Sequence, residues 1–248
     1  MKKIGIVGGV AWSSTMDYYS GICRLSERKH LEQGASGVPS MPEMSIESLD
    51  LARAISYIGT DEDDESWSQF DDYHRAALQR LEASGAEVAV IASNTPHHRF
   101  EAIVRGVGIP VINIFDAAAR ETARTGAGRV LILGTPVTMK SQKIREAFAN
   151  HGIDATGLDD DSAIASTVAL IEDLQRGKCD DAFERLAQIA IAAFDRQGLA
   201  ERIVCLACTE LRMGLHAQGD MPVSERGGVT YVDTTAAHIR ALLDQALG

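Results

Sequence analysis

The residues best suited to chemistry in this chain lie where short apolar runs give way to small, hydroxyl-rich turns. The junctions are Val7-Gly8-Gly9 through Trp12-Ser13-Ser14-Thr15, Ala92-Ser93-Asn94-Thr95, Leu133-Gly134-Thr135 through Thr138, and Ala207-Cys208-Thr209-Glu210. Turns that lead into helices offer backbone N–H groups and hydroxyl donors, and both favour a bound anion such as a carboxylate. Asn94, Thr95, Thr209 and the Ser14/Thr15 pair would together form a carboxylate cradle. Any one of them alone would serve as a helix cap, but four such turns favour the cradle. Cys208 adds a group that can move a proton. A free thiol titrates near ~8.5, and at a helix N-terminus it is expected lower, within reach of neutral-pH base chemistry. Most free cysteines are small buried hydrophobes. The polar Thr209-Glu210 that follows argues for use rather than filling.

Such turns need a scaffold that gathers strand ends. Apolar runs at 3–7, 87–92, 111–114, 129–133 and 202–207 predict strands. Helical patterns cover 15–31, 67–84, 116–125, 141–150, 163–175, 179–197 and 235–247. In the second of these, Trp67, Phe70, Ala77, Leu78 and Leu81 recur at helical spacing. Strand–helix alternation predicts an α/β protein with parallel sheets flanked by helices. Each half carries a Gly-Thr turn followed by a polar turn, a weak internal repeat. It suggests two pseudo-symmetric lobes, residues 1–115 with 225–248 and residues 116–224, with an active site in the cleft between them. Open parallel sheets bind ligands beyond the C-terminal ends of their strands.

Composition excludes several classes. A formal net charge of −11 argues against nucleic acid as a partner. No apolar run reaches the roughly 20 residues that cross a bilayer, and the broken run after Met1-Lys2-Lys3 reads as a first strand rather than a signal peptide. A cytoplasmic location is expected. The acidic run 61–65 reads as a solvated loop or helix start. Cys205 and Cys208 form a CxxC without the second pair or spaced histidines of a zinc site, and Cys205 sits inside an apolar run, unlike a thioredoxin motif. There is no GxGxxG, no P-loop and no lysine in a pyridoxal context. No metal or cofactor is expected.

Taken in order, these motifs resemble the aspartate/glutamate racemase family almost from end to end. The matching elements are Gly8-Gly9-Val10-Ala11-Trp12-Ser13-Ser14-Thr15 with Tyr18-Tyr19, Asn94-Thr95-Pro96-His97, Gly134-Thr135 with Thr138-Met139, Cys208-Thr209-Glu210-Leu211, and Asp233-Thr234-Thr235 with His238. The resemblance implies two α/β lobes, a cofactor-independent site, a small amino acid or carboxylic acid as substrate, and commonly a homodimer. It implies Cys208 and position 93 as the catalytic pair. Val10, Ser14, Thr15, Asn94, Thr95, Thr135, Thr209 and Glu210 are then the substrate-binding set. In that family two cysteines serve opposite faces of the substrate, because inversion needs a proton acceptor on one side and a donor on the other.

The chain departs from the pattern at two places. Ser93 stands where the family's first cysteine falls, and a hydroxyl is a far weaker acid than a thiol. Relatives with threonine there racemise acidic amino acids, whereas arylmalonate decarboxylases keep only the second cysteine. The lysine that often precedes the helix at 163 is absent, Ala165 standing in its place, and Arg53 is a possible substitute. His97 is expected to support or cap, and His98 to lie on the surface. Glu210 is expected to bind the substrate ammonium or brace its loop. The leading expectation is a racemase using Cys208 and Ser93. A single-cysteine decarboxylase or cis–trans isomerase of a small dicarboxylic acid is the alternative, and a catalytically lapsed carboxylate-binding protein the third.

Overall fold

The five residues of the first strand, β1 (Ile4–Gly8), carry no polar side chain, and Ile4, Ile6 and Val7 are all fully buried in it. The computed structural model describes residues 1–34, 36–60, 63–215 and 221–247. Asp61 and Glu62 of the acidic run lie outside the described residues. Asp63 caps the 3-10 turn Asp64–Trp67. Two compact units are present, residues 1–113 with 238–248 and residues 114–237.

In the first unit β1 is followed by α1 (Trp12–Glu32), β2 (Met44–Ser48), α2 (Leu51–Ser56), α3 (Ser68–Ala83), β3 (Val88–Ile91) and α4 (Phe100–Ile103). The sheet order is β2-β1-β3, all parallel. Trp67, Phe70, Ala77, Leu78 and Leu81 are all buried, as their spacing requires. The unit's core joins Ile4, Ile6, Tyr18, Ile22, Val88 and Val90 to Ile239, Leu242 and Leu243 of the C-terminal helix. β2 escaped prediction because it is an edge strand with only partial burial, so its sequence lacks a continuous apolar run. The strand expected at 111–114 is not formed. Val111 makes one isolated parallel bridge to Ala89, and a helix begins at Ile114.

The second unit runs α5 (Ile114–Ala123), β4 (Arg129–Gly134), α6 (Pro136–Lys140), α7 (Gln142–Ala149), β5 (Asp154–Thr156), α8 (Asp161–Gln175), α9 (Ala182–Gln197), β6 (Ile203–Ala207), α10 (Leu211–Gly214), β7 (Val223–Arg226) and β8 (Val229–Asp233). The last helix, α11 (Thr234–Leu247), starts in this unit and belongs to the first from His238 onward. The sheet order is β5-β4-β6-β8-β7. Both units thus place their first strand between their second and third, the same winding twice. β7 is antiparallel to β8 through a Gly227-Gly228 turn in which both residues have positive φ.

This sheet corrects the expected lobe boundary. Residues from 225 were assigned to the first lobe, but Thr230 to Asp233 pair in register with Ile203 to Leu206 of β6. The backbone groups of β6 need partners on both sides, and β8 supplies one of them. The return to the first unit therefore begins inside α11.

The first unit also buries His74, His97 and His238 completely. Tyr18 Oη donates to His238 Nδ1 at 2.6 Å while His238 Nε2 lies 2.9 Å from the Ile112 carbonyl. A carbonyl only accepts, so Nε2 carries a proton, and in the neutral ring that burial favours Nδ1 is the acceptor. Burial holds His74 and His238 down at about 4, and His97 well below its ordinary range, the last helped by His238. The unfolded chain, with histidines near ~6.5, takes up protons that the folded chain refuses. Their contribution to stability is therefore level above pH ~6.5 and falls as pH is lowered towards 4, by about 1.4 kcal/mol per pH unit for each proton. Urea unfolding between these limits should show a slope of up to about 4 kcal/mol per pH unit, and His74→Leu should remove about a third of it. An unchanged slope in that variant would contradict the account of His74.

Candidate functional site

In the second unit the site is built on neighbouring strand ends. Gly134 of β4 stands opposite Ala207 of β6 in the parallel ladder, so Thr135 and Cys208 leave the sheet side by side. A Cβ on Gly134 would lie 2.6 Å from the Ala207 carbonyl oxygen, so only glycine allows that approach. Thr135 accepts from the Thr138 N–H and sits 3.0 Å from the Thr138 hydroxyl, capping α6.

Cys208 is buried, 6% exposed. Its Sγ donates to Glu210 Oε2 at 3.0 Å, and the Thr209 hydroxyl donates to the same oxygen at 3.0 Å. Gln175 Nε2, from the end of α8, donates to Glu210 Oε1 at 3.1 Å. Thr209 and Glu210 are thereby drawn onto one another. The expected lowering of the thiol pKa does not occur. Burial, and after it the Glu210 charge, push the Cys208 thiol well above its ordinary range, outweighing backbone N–H bonds from Glu210 and Thr209. The helix that was to lower it, α10, has four residues and too few aligned peptides to compete. Cys205 belongs to a different core cluster from Cys208, so the CxxC sulfurs face different packing environments.

Two further contacts brace the Cys208 turn. Thr234 Oγ1 donates to the Leu206 carbonyl at 2.8 Å. Arg212 Nε, in α10, donates to Asp233 Oδ2 at 2.8 Å, and Asp233 Oδ1 caps α11 by accepting from the Thr235 and Ala236 N–H groups. Sequence reasoning missed Gln175 and Arg212. Neither lies in a motif, and only the fold brings them to Glu210 and Asp233.

In the first unit the corresponding turns follow β1 and β3, whose Val7 and Ile91 are register partners. Gly9 has φ +82°, and a Cβ there would meet the Leu49 carbonyl oxygen at 2.1 Å. The Gly9 N–H donates to Thr15 Oγ1 at 2.9 Å, Thr15 donates to the Ala11 carbonyl, and Ser14 Oγ donates to the Ala92 carbonyl at 2.7 Å. These two hydroxyls fasten the turn around half-buried Val10 and tie it to the segment after β3. Ser93 is half-buried, and its hydroxyl has no hydrogen-bond partner among the described residues. Asn94 is buried, and its side chain does not cap the 3-10 turn Thr95–Arg99 that follows. His97 stacks on Phe100 with its Nε2 3.4 Å from the Ile91 carbonyl, a supporting position. His98 is half-buried, with its ring 5.3 Å from that of Trp67.

Arg53, on α2, is exposed. Its Nε donates to Tyr57 Oη at 2.8 Å, and its guanidinium lies 5.6 Å from the Tyr57 ring centre and 5.1 Å from that of Tyr73. It forms no ion pair among the described residues. Two rings hold it without neutralising its charge.

Residues 7–242 match the Asp/Glu/hydantoin racemase family. A broad specificity amino-acid racemase of Bacillus subtilis is 22% identical, over 95% of this chain and 98% of its own. The structure of an aspartate racemase homologue from Pyrococcus horikoshii superposes with a TM-score of 0.76 at 27% identity, covering 100% of both chains. Glutamate racemase from Aquifex pyrophilus, at 16% identity, shares the fold with a TM-score of 0.62 over 98% of this chain and 83% of its own. No described helix is long and apolar enough to cross a membrane.

Proposed function

The chain belongs to the Asp/Glu/hydantoin racemase family, and from that premise we propose that it is a cofactor-independent amino-acid racemase in which Cys208 exchanges a proton with the substrate α-carbon. The observation that carries this reading is a thiol at the end of β6 whose proton already points at a carboxylate, Glu210 Oε2. A thiol so placed can give up and regain a proton without solvent. Ser93 serves the opposite face. Its hydroxyl is open, so it can hold a water and relay a proton through it. The charge left on the α-carbon spreads into the substrate carboxylate, where hydrogen-bond donors lower its energy. Asn94 and Thr95 supply such donors, and Val10, Ser14, Thr15 and Thr135 hold the turns in shape around them. The family resemblance extends the reading to a homodimer at work on amino-acid pools in the cytoplasm.

Incubation with a panel of L-amino acids in heavy water tests it. At least one should acquire deuterium at Cα with a matching rise of its D-form, and silence across the panel would sink the proposal. Ser93→Cys should speed the slower direction by about tenfold or more, because a thiol is the stronger acid. Release of carbon dioxide from a malonate without α-exchange would instead identify a decarboxylase.

A further inference from the structure

We propose that Glu210 is the proton store of Cys208, a positioning residue that accepts the thiol proton at Oε2 and hands it back. The inference rests on the racemase reading of Cys208 and replaces the expected role of Glu210 as a substrate contact.

Its basis is the company Glu210 keeps. The side chain is 4% exposed, yet among the described residues it forms no ion pair. Buried carboxylates are ordinarily matched by a cation, because desolvating an unmatched charge is costly. Here the partners are three neutral donors, the Cys208 thiol, the Thr209 hydroxyl and the Gln175 amide. A brace for the loop would be served equally by a glutamine or a neutral network. A carboxylate kept without a counter-ion, with a thiol proton on one of its oxygens, has a place to put that proton. Gln175, on Oε1, fixes the other oxygen and so aims Oε2 at the sulfur.

The same arrangement explains how a buried thiol can act as a base. With the thiol pushed up by burial and by Glu210, the resting pair is thiol and carboxylate. In the first step the S–H bond breaks and an O–H bond forms at Oε2, leaving thiolate beside a neutral acid. The thiolate then takes the α-hydrogen as a proton. The C–H electron pair stays on carbon and spreads into the substrate carboxylate. The pair now carries two protons, one on sulfur and one on oxygen. A proton delivered from the Ser93 side completes inversion, and loss of one proton from the pair to solvent resets it. In the other direction the thiol of the doubly protonated pair donates to carbon and recovers its proton from Oε2.

The test uses the full-length protein with Glu210→Gln, which keeps the shape and removes the proton store. Two readouts move in opposite senses. The pH at which Cys208 thiolate absorbance appears, taken as the difference from Cys208→Ala, should fall, because the neighbouring negative charge is gone. Substrate α-deuterium exchange at neutral pH should nevertheless drop by about 100-fold, and its rate should rise with pH alongside the thiolate, where wild type has levelled off at lower pH. An unmoved thiolate midpoint, or exchange at neutral pH that equals or exceeds the wild-type rate, overturns the proposal. Should Glu210→Gln not fold, the S–H stretching band of wild type decides. A Cys208 band shifted to lower frequency than that of buried Cys205 is expected, and an unshifted one overturns the pairing. Absence of exchange in wild type would overturn the racemase reading, and the store with it. Exchange with an unmoved midpoint overturns the store alone.

Discussion

Cys208→Ala is expected to lower α-proton exchange and racemisation by at least about 10³-fold, since it removes the only group proposed to touch the α-hydrogen on its face. The fold should survive. Alanine retains the Cβ, the position is small, and the lost sulfur contacts are worth on the order of 1 kcal/mol. Glu210 keeps the Thr209 hydroxyl and the Gln175 amide as donors, so the carboxylate is not stranded. The circular dichroism spectrum should therefore match wild type, with Tm within a few degrees. Measuring exchange and racemisation together matters, because loss of the thiol should stop both. A variant that retains a tenth of wild-type exchange would show that another group moves the proton. A variant that exchanges but does not racemise would confine Cys208 to the reprotonation step.

The second large effect concerns stability. Arg212 and Asp233 form an ion pair with both side chains nearly sealed from solvent, 8% and 7% exposed. Removing one member of such a pair leaves the other charge buried, which costs about 3–5 kcal/mol, far more than the pair itself contributes. Arg212→Met should thus lower Tm by about 10 °C in a chain of this size. Adding Asp233→Asn should recover at least half of the loss. Asparagine carries no charge to strand, and its side-chain oxygen can still accept from the Thr235 and Ala236 N–H groups at the start of α11. If the double variant is no more stable than Arg212→Met, the penalty does not come from a buried unpaired carboxylate. Calorimetric scans of the two variants beside wild type distinguish these cases. The pair also anchors α10 to the start of α11, just after the Cys208 turn, so Arg212→Met should slow exchange modestly even where it remains folded.

The amino-acid sequence by itself determined the class of fold and the positions of the turns that end the buried strands. Buried parallel strands such as β1, β4 and β6 announce themselves as continuous apolar runs because both their faces are covered. Gly9 and Gly134 are legible because a backbone that must turn left-handed, or approach another strand closely, admits no side chain. Edge elements were illegible for the opposite reason. β2 and β7 bury little, so their composition carries no strand signal, and β8 became part of the second unit only because β6 required a partner on its far side. What only the tertiary structure decided is the electrostatic state of Cys208. Local position suggested an acidic thiol, since a helix begins nearby. The thiol is in fact held protonated, because burial and a carboxylate two residues on act over a few ångströms in a poorly screened interior. Gln175 and Arg212, which lie outside every motif, fix that environment from α8 and α10. Sequence records which groups are present. The distances and solvent exclusion that set their energies arise only when the strands and helices pack.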